Sequence, residues 1–481
     1  MKYLTQIRYG FLLFLLCSVY LLQPVRCSAA EALWKAASVS VVITPEENLW
    51  MAGYGGRTAP ADGKLHDLWM KVLVIEARDG HRGVIVSTDT LGIPQSIYNN
   101  VCAALKEKYK LERSQIMLNS SHTHCGPVLR GALHDIYPLT PEHIKQIETY
   151  STKLEQQLVD AVGKAIKELE PATLWTGTGF TSFAVNRRNN VEAEVPGLRK
   201  AHDLKGPVDH SVPVLAVKDK EGQLKTLVFG YACHNTTLSI QKWCGDYAGF
   251  AQYDLEAMFP GVTAMFYMGC GADQNPLPRR TQELAESYGS RLAHAVADTV
   301  RLPMVELDPE LKTEIEITDI KLGDAPTKAD LEKIAAGNPK SYVTRWGTRL
   351  LKELNDGKTF ITSYPFPVQV WLLGKTQLWI TIGGEVVVDY SLGMKKEFGP
   401  NTWVAGYCND VMAYTPSLRV LEEDVPPRKS SRWGYEGNTS MMVYGLPANR
   451  WSDEIEDKIV ESARRQVEKI RHGKQAPASL K

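Results

Sequence analysis

The chain has 481 residues, 44% hydrophobic and 23% charged, with 55 basic against 55 acidic side chains. That balance excludes the basic excess by which nucleic-acid-binding domains are recognised, and the length leaves room for a large core. No low-complexity tract and no repeat at a period of roughly 20–50 residues marks it as a solenoid or linker-rich protein.

The first thirty residues read as an export signal. Lys2 and Arg8 precede an apolar run from Phe11 to Leu22, and Ser28-Ala29-Ala30 offers small residues for cleavage. The run is too short for a transmembrane helix, and no later stretch is long and apolar enough to span a membrane. Cys17 and Cys27 lie in this leader without a good lipobox before them. Six cysteines then remain: Cys102, Cys125, Cys233, Cys244, Cys270 and Cys408. They are too sparse for a disulfide framework, though one or two bridges stay open.

Taken in order, Val39–Ile43 predicts a first strand, stopped at Thr44-Pro45. Leu73–Ala77 and Val84–Ser87 predict a hairpin around Asp79-Gly80. Tyr98–Tyr109 predicts a helix feeding a strand at Ile116–Leu118. Pro141–Glu168 predicts a long helix, with Leu154, Leu158, Val162 and Ile166 at helical spacing. A strand follows at Ala172–Gly177, then a hairpin of Pro213–Val217 and Thr226–Tyr231 around Glu221-Gly222. Helices at Ala248–Met258 and Leu284–Arg301 flank a strand at Val262–Tyr267. Beyond Leu311 come strands at Glu314–Ile317, Phe366–Leu372 and Leu378–Glu385, a helical insertion at Ala329–Ala335 and a charged helix at Ser452–Ile470. Strands alternating with helices predict an α/β fold, a mixed-sheet catalytic domain with helices packed on the sheets. No linker cuts the chain, so residues 31–481 are expected to form one interwoven domain.

Four polar clusters carry the chemistry. The first is Ser121-His122-Thr123-His124-Cys125-Gly126-Pro127, directly after the Ile116–Leu118 strand. Side chains at i and i+2 of an extended segment share a face, so both imidazoles are expected to aim at one point. The others are Cys233-His234-Asn235-Thr236, Gly383-Gly384-Glu385, and Tyr407-Cys408-Asn409-Asp410 running on through Tyr414-Thr415-Pro416 to Gly434-Tyr435-Glu436-Gly437. Polar groups at strand ends of α/β folds meet in one crevice, and two His with one Glu form a common catalytic zinc set. Each cluster also has a structural reading: His234 as a buried hydrogen-bonded histidine, Glu385 as a strand-end carboxylate, the tyrosines as packing.

Together and in order, these segments resemble the neutral/alkaline (non-lysosomal) ceramidase family. Ser121–Pro127 is similar to its T-H-T-H-S-G-P motif, and Ala184-Val185-Asn186-Arg187 to its asparagine–arginine element. Gly230–Thr236 is similar to its second histidine segment, and Gly245-Asp246-Tyr247-Ala248-Gly249 to its G-D-x-x-G helix. Gly384-Glu385, Tyr414-Thr415-Pro416-Ser417 and Tyr435-Glu436-Gly437 complete the series. The resemblance implies zinc held by His122, His234, Glu385 and Tyr414. It implies His124 and Arg187 near the substrate, with His124 as proton carrier, and Tyr435 polarising the carbonyl. The implied reaction is hydrolysis of an N-acyl bond in a small or lipid-like substrate by zinc-activated water.

The chain departs from that family in two places. Where the family carries a serine in G-D-x-S-P-N, this loop is Gly269-Cys270-Gly271-Ala272-Asp273-Gln274-Asn275-Pro276. Asp273 or Gln274 is expected in its neighbourhood, Asp273 as the assisting base. The sequence also stops short of the family's C-terminal β-sandwich. These departures leave open a zinc hydrolase of esters or acylated sugars. A non-catalytic glycan- or lipid-binding homologue also stays open, with Trp34, Trp50, Trp69, Trp346 and Trp433 lining a groove. Oligomeric state is not legible.

Overall fold

The long apolar and alternating segments assemble into two sheets in the computed structural model, which describes residues 33–424 and 436–472. Up to the middle of the chain the strands are β1 (Trp34–Val42), β2 (Trp69–Glu76), β3 (Arg82–Thr88), β4 (Ile116–Ser120), β5 (Glu170–Phe180), β6 (Ala184–Asn186), β7 (Ser211–Asp219), β8 (Leu224–Tyr231) and β9 (Thr263–Met268). Two short strands, β10 (Gln274–Pro276) and β11 (Val305–Leu307), follow. The first sheet runs β4-β3-β2-β1-β5-β7-β8-β9, with β11 added to β5. Its neighbours are antiparallel except at the two ends, where β3/β4 and β8/β9 pair parallel. Each parallel step needs a crossover, and helices Gln95–Tyr109 and Asp246–Met258 provide them.

The second sheet contains β12 (Leu311–Lys321), β13 (Ser363–Leu373), β14 (Gln377–Ile382) and β16 (Trp403–Ala405). Between and after its last members lie β15 (Glu385–Val386) and β17 (Tyr414–Thr415), which pair only with each other. One face of each sheet meets the other: Leu73, Ile85 and Met117 share a core cluster with Trp371, Trp379 and Trp403. Helices Pro141–Lys167 and Gln282–Arg301 cover the far side of the first sheet, and Ile455–His472 covers the second. Being covered on both faces, β2 and β3 are buried along nearly their whole length and read as continuous apolar runs. The expected mixed α/β architecture with helices on the sheets is what forms.

Several details differ from the sequence reading. A helix at Tyr342–Asn355, a helix at Val388–Phe398 and the strand Trp403–Ala405 were not expected. The strand expected at Leu378–Glu385 breaks at Gly383-Gly384, and Glu385 opens a separate pair. Among the described residues, Trp34, Trp50 and Trp346 are buried rather than lining a groove, and the Trp34 indole donates to Leu307 O at 3.0 Å. Trp433 and the expected export signal lie outside the described residues. The six cysteines from Cys102 to Cys408 are all buried and unpaired.

The ends of β4, β9 and β16 are tied together by one amide. Asn119 Oδ1 accepts from Met268 N at 2.8 Å, and its Nδ2 donates to Gly406 O at 2.8 Å. This fixes the three loops that leave those strands. Asp410, in the loop after β16, is fully buried and accepts from Tyr364 OH at 2.7 Å and Gln95 Nε2 at 3.2 Å. Burial pushes its carboxyl up to about 7. Between the unfolded value near about 4 and that folded value, the native chain holds a proton the unfolded chain has lost. Stability is therefore expected to fall as pH rises from about 4 to about 7, by up to roughly 1.4 kcal/mol per unit. Urea melts at pH 5 and pH 8 measure this, and D410N should flatten the difference.

Candidate functional site

Three loops bring three imidazoles together. His122 and His124 follow β4, and His234 follows β8. His122 Nε2 stands 3.0 Å from His234 Nε2 and 3.2 Å from His124 Nε2. All three rings are buried, and their nitrogens form a group that could hold a metal ion. The expected convergence of His122 and His124 is present, but strand alternation does not cause it. The strand ends at Ser120, and His122 turns the chain in the left-handed region at φ 58°. Gly53 makes room for the second ring: a Cβ there would sit 2.4 Å from His124, and its φ of 97° favours glycine.

The loops are held from behind. Asp246 accepts from Thr237 N at 3.1 Å and Leu238 N at 2.7 Å. Asn235 Nδ2 donates to Gly245 O at 2.9 Å. The G-D-x-x-G segment thus buckles the His234 loop to the start of its helix. Arg57 Nη2 donates to His124 O at 2.7 Å.

Glu385 and Tyr414 arrive side by side because β15 and β17 pair in the register Glu385↔Tyr414. Gly384, at φ 74°, permits this turn, since a Cβ there would meet Thr415 Oγ1 at 2.3 Å. Glu385 Oε2 lies 3.1 Å from His122 Nε2 and 3.5 Å from His234 Nε2. Tyr414 OH lies 3.5 Å from His234 Nε2. Tyr444 OH donates to Glu385 Oε1, and Tyr407 OH to Oε2 at 3.5 Å. Burial opposes ionisation of Glu385, but a positive charge at His122, with the hydroxyls of Tyr444 and Tyr414, outweighs it and holds the carboxyl below its ordinary value.

The donor chemistry fits a cation. His122 Nδ1 is 2.6 Å from Leu91 O and His234 Nδ1 is 3.0 Å from Gly271 O. A carbonyl only accepts, so both Nδ1 atoms carry the proton and both Nε2 atoms present lone pairs. Burial pushes the His234 and His124 imidazoles well below their usual pKa, which keeps them neutral. Two lone pairs facing each other across 3.0 Å repel unless a positive charge lies between them. An Nδ1–H donated to a carbonyl is also the usual support behind a metal-bound histidine. The His122–His234, His122–Glu385, His234–Glu385 and His234–Tyr414 spacings, 3.0–3.5 Å, are near the roughly 3.4 Å that separates donors on a zinc tetrahedron with about 2.1 Å bonds.

Above this cluster opens a cavity of about 380 Å³. Its lining includes His124, His234, Glu385, Tyr414, Arg187 and Asn275. Arg187 is held by Glu436, with Nε and Nη2 each 2.9 Å from Oε1. From there its Nη2 reaches Tyr414 OH at 3.3 Å and its Nη1 reaches Asn275 Oδ1 at 3.3 Å. Arginine only donates, so the oxygen of Asn275 faces it and the Nδ2 group is left over. That buried Nδ2 has no hydrogen-bond partner, and neither does His124 Nδ1.

Asp273 departs from the expectation that it serves as base. Its Oδ1 accepts from Val388 N at 2.9 Å and Gln274 Nε2 at 3.1 Å, and its Oδ2 from Asn186 Nδ2 at 3.1 Å. It is fully buried, absent from the cavity lining and occupied at the start of the Val388–Phe398 helix. Gln274 donates to Pro207 O and is likewise off the lining. Tyr435 lies outside the described residues. Sequence reasoning missed Tyr444, Tyr54 and Asn275. Tyr54, which packs its ring 4.6 Å from that of His124, and Tyr444 sit in no recognisable motif. Asn275 was in view, one residue beyond the attention given to Asp273 and Gln274.

Comparison with known proteins bears on the family and the fold. Residues 41–272 match the family model described as neutral/alkaline non-lysosomal ceramidase, N-terminal. The matched segment contains His122, His124, Arg187 and His234, while Glu385 and Tyr414 lie beyond it. The chain is 28% identical over 219 residues to neutral ceramidase of Pseudomonas aeruginosa, covering 43% of this chain and 31% of that protein. It is 28% identical over 204 residues to neutral ceramidase B of Dictyostelium discoideum, covering 40% and 27%. These matches thus span about a third or less of the curated relatives' own lengths. The crystal structure of the Pseudomonas aeruginosa enzyme superposes with a TM-score of 0.65 at 18% identity, covering 94% of this chain and 76% of that one. A structure titled "Ceramidase complexed with C2" gives 0.66 at 18% identity, over 93% and 77%.

Proposed function

The chain belongs to the neutral/alkaline non-lysosomal ceramidase family, and on that premise we propose that it is an exported zinc-dependent hydrolase cleaving an N-acyl amide bond. The observation that carries this reading is the meeting of the His122, His234 and Glu385 donors, with Tyr414 beside them, at a cavity. In this reading those four residues hold zinc. The metal, when bound, makes water a nucleophile near neutral pH and polarises an acyl carbonyl.

The chain's own residues do the rest. Leu91 O and Gly271 O fix the tautomers of His122 and His234 so that Nε2 stays a ligand. His124 lines the cavity with its Nδ1 uncommitted, and it carries a proton to the leaving amine. Arg187 and the spare Nδ2 of Asn275 donate to the carbonyl oxygen as it gains charge. Tyr435 adds a further donor to that oxygen, a role assigned from the family resemblance alone. Asp273 takes no part, because its oxygens are spent on Val388, Gln274 and Asn186. The hydrolase unit is assigned to residues 31–481, with residues 1–30 as the export signal; no described helix is long and apolar enough to cross a membrane.

The test is a panel of matched N-acyl and O-acyl compounds given to the zinc-loaded protein. Amide hydrolysis that stops on chelation and returns with zinc is the expected result. Turnover confined to O-acyl compounds would overturn the amide assignment, and stoichiometric zinc without turnover would make the chain a binding protein.

A further inference from the structure

Charge around the cavity is unevenly matched. Among the described residues three arginines line it, Arg187, Arg279 and Arg280, against one carboxylate, Glu385. Arg187 is neutralised by Glu436 at 2.9 Å. Arg279 is gripped by Glu192, whose two oxygens take Nε and Nη2 at 2.9–3.2 Å. Arg280 has no carboxylate partner among the described residues: its contacts are a backbone N–H donated to Thr237 O at 2.7 Å and a guanidinium 5.4 Å from the Tyr54 ring centroid. Zinc at the floor would raise the positive potential further, since Glu385 is the one carboxylate on the lining among the described residues.

The placement of Arg280 is also costly. It is an exposed, non-glycine residue at φ 95°, a conformation worth about 1–3 kcal/mol of strain. A guanidinium at a rim, next in sequence to a second one, would ordinarily turn to water. Here it lies over Tyr54, whose OH is itself fixed to Leu238 O at 2.8 Å. Tyr54 packs against His124 at 4.6 Å, so the guanidinium stands no more than about 10 Å from the ring that faces the reacting bond. An amide and a carboxylate a few bonds apart span that interval, and a planar guanidinium matches a carboxylate with two parallel hydrogen bonds.

We infer that Arg280 anchors a carboxylate on the substrate, so that this site takes N-acyl amino acids or similar acidic amides in preference to neutral ones. The inference rests on the amide-hydrolase reading of the same cavity. A neutral lipid amide leaves Arg280 unmatched, whereas an acidic amide occupies the metal cluster with its carbonyl and the rim with its anion.

N-hexanoylglycine and N-hexanoylethanolamine, nearly equal in size and different in charge, provide the test. The zinc-loaded wild-type chain should favour the glycine compound in kcat/KM by at least about tenfold. R280Q should collapse that ratio by about 10- to 100-fold, mainly through KM, the size of one charge-assisted pair, and R280K should restore part of it. Zinc content and melting temperature check that each variant is folded. Equal or better use of the ethanolamide by wild type, or an unchanged ratio in R280Q, would overturn the inference. Calorimetric binding of N-hexanoylglycine to wild type and R280Q separates the two readings. If neither compound is cleaved, the hydrolase reading falls, and weaker binding by R280Q still supports the anchor while equal binding overturns it.

Discussion

His234→Ala is expected to remove bound zinc and hydrolysis together, while His124→Ala keeps the metal and loses turnover. His234 Nε2 sits within 3.5 Å of three other donors, His122, Glu385 and Tyr414, and its Nδ1 is tied to Gly271 O. Deleting it removes one donor and the ring orientation together. Loss of mere supporting groups behind a ligand costs about 10- to 100-fold in metal affinity, so loss of the ligand should exceed that. His124 differs because its Nδ1 has no partner and its ring lines the cavity. As a proton carrier its removal should cost about 10²- to 10⁴-fold in kcat with zinc still stoichiometric. Elemental analysis after dialysis, run beside steady-state kinetics, reads both. Zinc retained by the His234 variant would sink the ligand assignment, and zinc lost from the His124 variant would move that residue into the ligand set. Chelation of the wild type should also lower its melting temperature, because the facing lone pairs of His122 and His234 are left uncompensated.

How much of this was legible in the sequence depends on the range of the forces involved. Strands and long helices carry local periodicity, and Pro141–Lys167 was readable almost to the residue. Val388–Phe398 was not, since Val386-Val387-Val388 is a β-branched run and the Asp273 carboxylate that receives the helix start is over a hundred residues away. The helix at Tyr342–Asn355 had the signal, with Trp346 and Leu350 four apart on a buried face, and was passed over. In the site, His122, His234 and Glu385 each announced themselves at the end of an apolar run. The means of their meeting did not: it needs the left-handed turn at His122 and a two-residue strand pair joining Glu385 to Tyr414. Asp273 was misread because a strand-end carboxylate beside a catalytic loop looks alike whether it faces the cavity or a helix N-terminus. Tyr444 reaches Glu385 from 59 residues away, which no local pattern encodes.

Glu436→Gln is expected to destabilise the protein by about 3–5 kcal/mol and to lower kcat as well. The Glu436 side chain is fully buried, and it bridges two guanidiniums, Arg187 at 2.9 Å and Arg188 at 2.8 Å. Arg188 is equally buried and is shared with Asp424 at 2.8 Å and Glu423 at 3.0 Å. Burial alone would lower the Arg188 pKa, but these carboxylates outweigh it and hold the guanidinium charged. Neutralising Glu436 removes the carboxylate that lies between the two cations in a low-dielectric interior; Arg188 keeps Asp424 and Glu423, but the repulsion between the guanidiniums and the desolvation of Arg187 lose that compensation. The functional loss follows from the same contact. Glu436 is what holds Arg187 where its two terminal nitrogens meet Tyr414 OH and Asn275 Oδ1, so a relaxed Arg187 no longer donates reliably to the carbonyl oxygen. Denaturant melts measure the first effect and kinetics the second. In a double-mutant cycle with Arg188→Met the two stability losses should be less than additive, because the Glu436–Arg188 pair is lost only once, and none of the activity should return, because Arg187 stays unanchored. Strict additivity of the two stability changes would show that Glu436 and Arg188 are not energetically coupled, and wild-type kcat in Glu436→Gln would show that Arg187 is positioned by something else.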